Sequence, residues 1–270
     1  MQNISSLSTN RAFLYGDAVF ETVKILNSKV LFLEDHYFRL MSSMRILRME
    51  IPMNFTMEYF ENVILSEVKL NNIDSSARAR ITVYRKDGGY YLPQDNNVAF
   101  EILVSKLEKS FYEIENSDYE VEIYKDFYVS KQLISTLKST NKIINIVGSI
   151  YAKENGYDNC LLLNEDKNIV EVLNGNIFML KDGILSTPPI SDGCLNGIMR
   201  KQILSIAKKI DTIELIENSI SPFDLQKADE LFITNVIKGI QPITKYRKKE
   251  YLNNMSNLLL NKLNEQIKNF

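Results

Sequence analysis

Across residues 112–118 the chain turns polar and acidic, and on either side of this stretch short strand-like apolar runs alternate with helical ones. No all-helical bundle or all-β sandwich accommodates that mixture; each half has to bury its own strands against its own helices. The expectation is an α+β protein of two domains, an N-terminal α/β domain over residues 1–115 and a larger domain over 119–270. A chain of 270 residues with 45 % apolar and 24 % charged side chains is large enough for a core in each. A site built from both halves would be expected in the cleft between them.

In the first half, residues 18–26 and 29–32 read as strands of a hairpin turning at Asn27-Ser28. From 34 to 48, Tyr37, Leu40, Met41, Met44 and Leu47 recur at three- and four-residue spacing, the pattern of an amphipathic helix. A second helix is expected over 56–70 with Thr56 as N-cap, then strands over 77–84 and 98–104 flanking the Gly88-Gly89 loop. The second half opens with a strand over 121–129 and a helix over 139–154. Strands follow at 159–163, 169–173, 176–180 and 183–185, then a Pro188-Pro189 loop, a helix over 198–209 and a strand over 212–216. Ser221-Pro222-Phe223-Asp224 reads as a helix start, with a capping serine and a proline at the first helical position. A strand over 230–234 and a helix over 252–267 complete the pattern.

Several function classes fall away. The 32 basic and 34 acidic residues leave a net charge of −2, so nothing points to a nucleic-acid backbone. A single histidine, His36, rules out a multi-histidine zinc site and leaves one candidate base for a serine– or cysteine–histidine mechanism; no metal is expected. Cys160 and Cys194 read as two reduced thiols. No apolar run approaches the ~20 residues of a membrane span. Residues 1–6 carry neither a basic nor an apolar segment, so no signal peptide is read there and the expected location is the cytoplasm.

Three positions carry the chemistry. Lys138, in Leu137-Lys138-Ser139-Thr140-Asn141, is read at the head of a helix among the apolar Leu133, Ile134, Leu137, Ile143 and Ile144. Lys142, four residues on, would depress its amine pKa, as a Schiff-base lysine requires. Glu171 is an acid inside an apolar strand, where it needs a cationic partner, either a pyridinium or a structural arginine. Gly197 opens a helix whose free amides suit a dianion. An amine, a carboxylate and a glycine-led helix start are the parts that pyridoxal phosphate requires. Arg39 could reach the same phosphate from the 34–48 helix. Each residue alone also has a plain reading: a solvated lysine or arginine, a structural ion pair, an ordinary glycine. His36 reads as a packed or capping residue, and Lys245-Tyr246-Arg247-Lys248-Lys249 as a solvated basic loop.

These residues lie in a longer pattern. It comprises Asn10-Arg11-Ala12-Phe13-Leu14-Tyr15-Gly16-Asp17-Ala18-Val19-Phe20-Glu21-Thr22, Glu34-Asp35-His36-Tyr37-Phe38-Arg39-Leu40 and the Lys138 segment. It continues with Glu171, Asn176-Ile177-Phe178, Gly197-Ile198-Met199-Arg200 and Ala228-Asp229-Glu230-Leu231-Phe232-Ile233-Thr234-Asn235. Over about residues 10 to 245 this resembles the class IV aminotransferases, the fold-type IV pyridoxal-phosphate enzymes. The resemblance implies a two-domain fold like that of D-amino-acid aminotransferases, with a small N-terminal α/β domain and a C-terminal cofactor-binding domain containing a barrel-like sheet. It implies pyridoxal 5'-phosphate as cofactor and Lys138 as both Schiff-base lysine and proton shuttle. Glu171 would pair with the pyridine nitrogen. Arg39, Asn176, the amides of Ile198 and Met199, and the loop at Asn235-Val236 complete the implied cofactor set. Tyr15, Arg85 and Tyr90 would face the substrate, a small amine-bearing molecule, and a homodimer would complete the pocket.

Within the family, branched-chain aminotransferases carry a tyrosine five residues after the lysine, where this chain has Ile143. The D-amino-acid enzymes carry an Arg-x-His trap, which Arg85-Lys86-Asp87-Gly88-Gly89-Tyr90-Tyr91 lacks. Asn141 fits both the D-amino-acid enzymes and the 4-amino-4-deoxychorismate lyases, which release pyruvate and 4-aminobenzoate on the folate route; Met199, Asn235 and Gly239-Ile240-Gln241-Pro242 resemble the lyases. Tyr90 stands where those lyases can carry an arginine, and the segment before the first strand is short for the fold. The implied activity is thus the lyase, with amino-acid transamination of D-amino-acid or branched-chain type as the alternative. An inactive dimeric scaffold is a remote third reading, against which the presence of both Lys138 and Glu171 argues.

Overall fold

The structure, a computed structural model, describes residues 8–115 and 117–268. Residues 1–6, read as carrying no signal peptide, lie outside the described residues, as does Asn116 of the acidic stretch. Two compact units divide the chain. One takes the residues up to Ser110 together with Leu137–Asn141; the other takes Phe111–Thr136 and the chain from Lys142 onward.

The first unit contains the short helix α1 (Arg11–Tyr15) and strands β1 (Ala18–Leu26) and β2 (Lys29–Val30). Helices α2 (Leu33–Ile46) and α3 (Met57–Leu70) follow, then strands β3 (Ser76–Arg85) and β4 (Val98–Lys106). The antiparallel sheet runs β2-β1-β3-β4. Asn27 and Ser28 both take positive φ, 49° and 60°, the geometry of a tight two-residue hairpin turn. The second hairpin strand is shorter than expected, because Phe32 turns into the left-handed region at φ 56° and starts α2. Thr56 caps α3 as read from the sequence, its hydroxyl accepting the Tyr59 N–H at 3.1 Å. Val19, Val23, Ile25, Ala77, Ala79, Ile81 and Val83 alternate along β1 and β3, and Leu40, Met44, Phe60 and Ile64 join them in one core.

The segment around Lys138 departs from the expected helix. No helix begins at 139: α4 spans Ile143–Glu154. Residues 138–140 lie extended along β1, whose edge there is open because β2 pairs only with Ile25 and Leu26. Phe20 N–H donates to the Lys138 carbonyl at 2.8 Å and Thr140 N–H to Ala18 at 3.0 Å. Thr140 Oγ1 and Asn141 Nδ2 both donate to the Gly16 carbonyl. The supposed apolar surround also fails: Leu133, Ile134 and Ile143 are exposed, and of the flanking residues Leu137 is buried. Without a helical turn joining them, Lys142 has no i,i+4 relation to Lys138.

In the second unit, β5 (Glu120–Val129), β6 (Asn159–Asn164) and β7 (Ile169–Val172) share a sheet with the hairpin β13 (Lys245–Tyr246) and β14 (Lys249–Glu250), in the order β14-β13-β5-β6-β7. The second sheet takes β8 (Asn176–Lys181), β9 (Ile184–Thr187), β10 (Glu214–Glu217), β11 (Glu230–Asn235) and β12 (Gly239–Ile243), in the order β10-β9-β8-β11-β12. Val121, Leu161, Ile169 and Tyr246 from one sheet and Ile177, Leu231, Ile233 and Ile243 from the other form a single core. This is the barrel-like arrangement expected for the C-terminal half. Helix α4 lies outside it on Tyr124, Cys160, Leu162 and Leu173. Helices α5 (Ile198–Ala207) and α6 (Asn254–Lys268) bury Ile203, Leu259 and Leu263.

Three further expectations change. The basic run at 245–249 is a hairpin, with Tyr246 buried, Arg247 at φ 56°, and Lys245 and Arg247 paired with Glu120 and Glu122. Ser221-Pro222 opens only a single 3-10 turn, Leu225–Lys227. Strand β12 was hidden by Pro242, which ordinarily argues against a strand. No helix among the described residues is long and apolar enough to cross a membrane.

Candidate active site

Successive side chains of a strand point to opposite faces, and β1 uses both. Phe20 meets two cations: Lys138 Nζ lies 4.6 Å and the Arg80 guanidinium 3.7 Å from its ring centre. Arg80 sits on β3, opposite Thr22 in the register, and its Nε donates to Thr82 Oγ1 at 3.2 Å. Arg78 lies two residues along on the same face. Burial and the Arg78 charge together push the Arg80 pKa below its ordinary value. Among the described residues neither arginine is ion-paired.

On the other side of β1, Glu21 meets α2. Its carboxylate accepts Arg39 Nε at 2.8 Å and Nη2 at 2.6 Å, and the His36 ring nitrogen Nδ1 lies 2.7 Å away. Burial pushes the Glu21 carboxyl up, but Arg39 and His36 outweigh it and bring it down to about 2. His36 is lowered by its own burial against the pull of Glu21, and the Lys138 charge adds to that lowering.

The three residues expected at the substrate face have three distinct surroundings. Tyr15 packs on Tyr91, ring centres 5.7 Å apart, under the Arg11 guanidinium. Tyr90 is 84 % exposed at the loop tip. Arg85 is turned inward: Nε donates to Asp17, Nη2 to the Leu47 carbonyl, and Nη1 to the Arg48 carbonyl and Asn96. It braces the α2 end and Asn96, just before β4, because Asp17 and three inward-facing oxygens compete for its donors.

In the second unit, Glu171 and Asn176 converge on one residue. Glu171 Oε2 accepts Leu195 N–H at 2.9 Å, and Asn176 Nδ2 donates to the Leu195 carbonyl at 2.8 Å. The loop into α5 is thereby fixed at both polar atoms of Leu195. Gly197 follows as N-cap, with no side-chain cap, so the first amides of α5, Ile198 and Met199 included, face outward from the helix end. A methyl group on Gly197 would fall 1.9 Å from Asn176 Oδ1. Thr234 pairs across the strands with Asn176, and its buried hydroxyl has no partner. Asn235 Oδ1 accepts the amides of Ile237 and Lys238, closing the β11–β12 turn, and the Val236 carbonyl accepts Tyr112 Oη at 2.8 Å.

A model of the family described as Amino-transferase class IV matches residues 18–246. The chain belongs to the class IV aminotransferases. A Methanocaldococcus jannaschii protein, provisionally assigned as a branched-chain-amino-acid aminotransferase, is 29 % identical over 96 % of this chain and 88 % of its own. Two solved structures share the fold. A Legionella pneumophila protein provisionally assigned as a 4-amino-4-deoxychorismate lyase has a TM-score of 0.83 at 23 % identity, over 98 % of this chain and 97 % of its own. A branched-chain amino acid aminotransferase from Thermobaculum terrenum, in its pyridoxal-phosphate form, has a TM-score of 0.84 at 21 % identity, over 98 % and 90 %.

The class IV cofactor is pyridoxal 5'-phosphate. The residues present fit it. An uncapped helix start, a glycine kept bare by Asn176 and an orphaned buried hydroxyl on the neighbouring strand form a donor set suited to a phosphate. Arg80, Glu21 and Thr234 escaped the sequence reading. Arg78-x-Arg80-x-Thr82 carries a period-two polar pattern, which is ordinarily that of a solvated strand face.

Proposed function

We propose that this class IV enzyme is a 4-amino-4-deoxychorismate lyase, releasing pyruvate and 4-aminobenzoate in the cytoplasm. The observation that carries the reading is Arg80 over the ring of Phe20, which also meets the Lys138 amine, with Arg78 two residues along on the same strand face. Two cations without carboxylate partners favour a substrate with more than one carboxylate, which this one has. The Legionella protein adds support, since it and this chain cover each other almost end to end.

In this reading the Lys138 amine would hold the cofactor at its aldehyde carbon. With its amine free, Lys138 would be the base that removes the proton from the amine-bearing carbon of the bound substrate. Bound pyridoxal phosphate supplies the electron sink for the charge left there. Glu171 keeps the pyridine nitrogen protonated, positioned by its bond to Leu195. The amides of Ile198 and Met199, with Arg39, Asn176 and the loop at Asn235-Val236, hold the phosphate. Arg80 receives a substrate carboxylate. The enolpyruvyl oxygen then leaves from the neighbouring carbon, and aromatisation of the ring drives the release.

Transamination of an amino acid is the second reading, favoured by the Methanocaldococcus relative, which covers nearly the whole chain. Lys138 would then return the proton instead of setting up a departure. Incubation with aminodeoxychorismate, with pyruvate read by lactate dehydrogenase, separates the two; no pyruvate above background removes the lyase. Lys138→Ala is expected to lose at least about a thousandfold in turnover of either kind, and full activity in that variant would contradict both. The homodimer belongs to the same proposal, and sedimentation at the single-chain mass of 31.2 kDa would remove it.

A further inference from the structure

Glu21 is 1 % exposed, on a strand face shared with Val19, Val23 and Ile25. An ionised carboxylate in such a core is expensive unless partners satisfy it fully. Here they do. Arg39 and His36 are three residues apart on α2, so they present to the same side of the helix. Together they direct three polar contacts of 2.6 to 2.8 Å at the two carboxylate oxygens. We propose that Glu21 is the positioning residue for Arg39: its carboxylate fixes the guanidinium in the orientation that receives the cofactor's phosphate and balances its charge before the phosphate arrives. This rests on the pyridoxal-phosphate reading above.

The geometry supports orientation rather than simple neutralisation. Glu21 engages Arg39 side-on, through Nε and Nη2, which sets the plane of the guanidinium and directs the Nη1 side away from Glu21. A bond from His36 Nδ1–H to Glu21 requires the tautomer with its proton on Nδ1. His36 Nε2 is buried without a partner, so a neutral ring is the economical state. Glu21, Arg39 and neutral His36 then sum to zero charge. Arg39 therefore does not stand as an uncompensated buried cation when the cofactor is away, and it has no electrostatic reason to swing toward solvent. What it offers the phosphate is direction.

Glu21→Gln keeps the size and removes the charge. The test titrates wild-type and variant apoprotein with pyridoxal phosphate and, separately, with pyridoxal, which lacks the phosphate. The variant is expected to lose about tenfold or more in affinity for pyridoxal phosphate and less than about threefold for pyridoxal. Equal losses for both would mean that Glu21 only supports the core, and would overturn the proposal, as would unchanged affinity for both. If Glu21→Gln does not fold, Glu21→Asp in the same two titrations keeps the charge but shortens the reach. The preference for pyridoxal phosphate over pyridoxal should fall at least about threefold, and an unchanged preference overturns the proposal. Wild-type protein that binds no pyridoxal phosphate would instead remove the reading of the site on which this stands.

Discussion

Arg80 sits half-buried beside another arginine, against the Phe20 ring and Thr82 and without a carboxylate partner among the described residues. Arg80→Gln is therefore expected to raise KM for a carboxylate-bearing substrate by roughly ten- to a hundredfold, the loss of one charge-assisted bond, with kcat changed less. Steady-state kinetics on aminodeoxychorismate checks it; an unchanged KM would remove Arg80 from the substrate side. The Glu21 cluster makes a second prediction at this scale. The folded-state carboxyl sits at about 2 against an ordinary 4.5, so its pairing stabilises fully above pH 4.5 and is lost as pH falls from there toward 2. His36, depressed by burial, acts in the same direction from about 6.5 downward. Denaturant midpoints should fall in two stages on acidification, and His36→Gln should remove the upper one. Lys138, Glu171, Arg39 and Gly197 could be named as candidates from residue type and motif order alone, although the apolar surround read for Lys138 is not there. Arg85 marks a limit of such reading: an arginine beside a glycine loop looks available, and only the fold shows Asp17 and the Leu47 and Arg48 carbonyls engaging its donors.

At the scale of elements, the joint between β7, β8 and α5 is the most exacting. Glu171 and Asn176 hold Leu195 from two strands, and Gly197 has no room for a methyl group. Asn176→Ala is expected to destabilise the protein by about 1–3 kcal/mol, since the Leu195 carbonyl loses its donor, and to weaken phosphate-dependent cofactor binding. Gly197→Ala should do the same by displacing Asn176. Chemical denaturation together with cofactor titration reads both, and a variant as tight and as stable as wild type would show that the joint does not matter. Helices α2 and α3 were legible from periodicity and, for α3, from the Thr56 cap. The start of α4 was not. Ser139 and Thr140 resemble caps, and nothing local to them reveals that the unpaired stretch of β1, some 120 residues earlier, offers them hydrogen bonds instead. Strand β12 was missed likewise, because Pro242 lacks a donor and only pairing with Phe232 explains its place.

For the molecule as a whole, mixed strands and helices in both halves could be read from alternating periodicities, which depend on local pattern alone, whereas the barrel-like sheet was implied only by the family resemblance. The membership of Leu137–Asn141 could not, since these residues belong with the first unit although the chain on both sides belongs to the second. Tyr112 shows the same limit: it lies in the polar acidic stretch, yet it is buried and hydrogen-bonded to Asn264 and Val236. The returning strand is testable as a unit. Thr140→Pro deletes the bond to Ala18 and should cost about 1–3 kcal/mol. It should also loosen Lys138, seen as faster hydrogen exchange at the Phe20 amide. Protection at Phe20 equal to wild type would contradict this.

That returning strand also sets a timetable. Thr140 and the Gly16 carbonyl it grips are 124 positions apart, so a growing polypeptide emerging from the ribosome has its early sheet waiting, one border bare, until half the protein has been made. Lys138, on which the proposed function turns, rides on the piece that closes this gap. The Lys138 segment can therefore take its place beside β1 only after about half of the protein has been made.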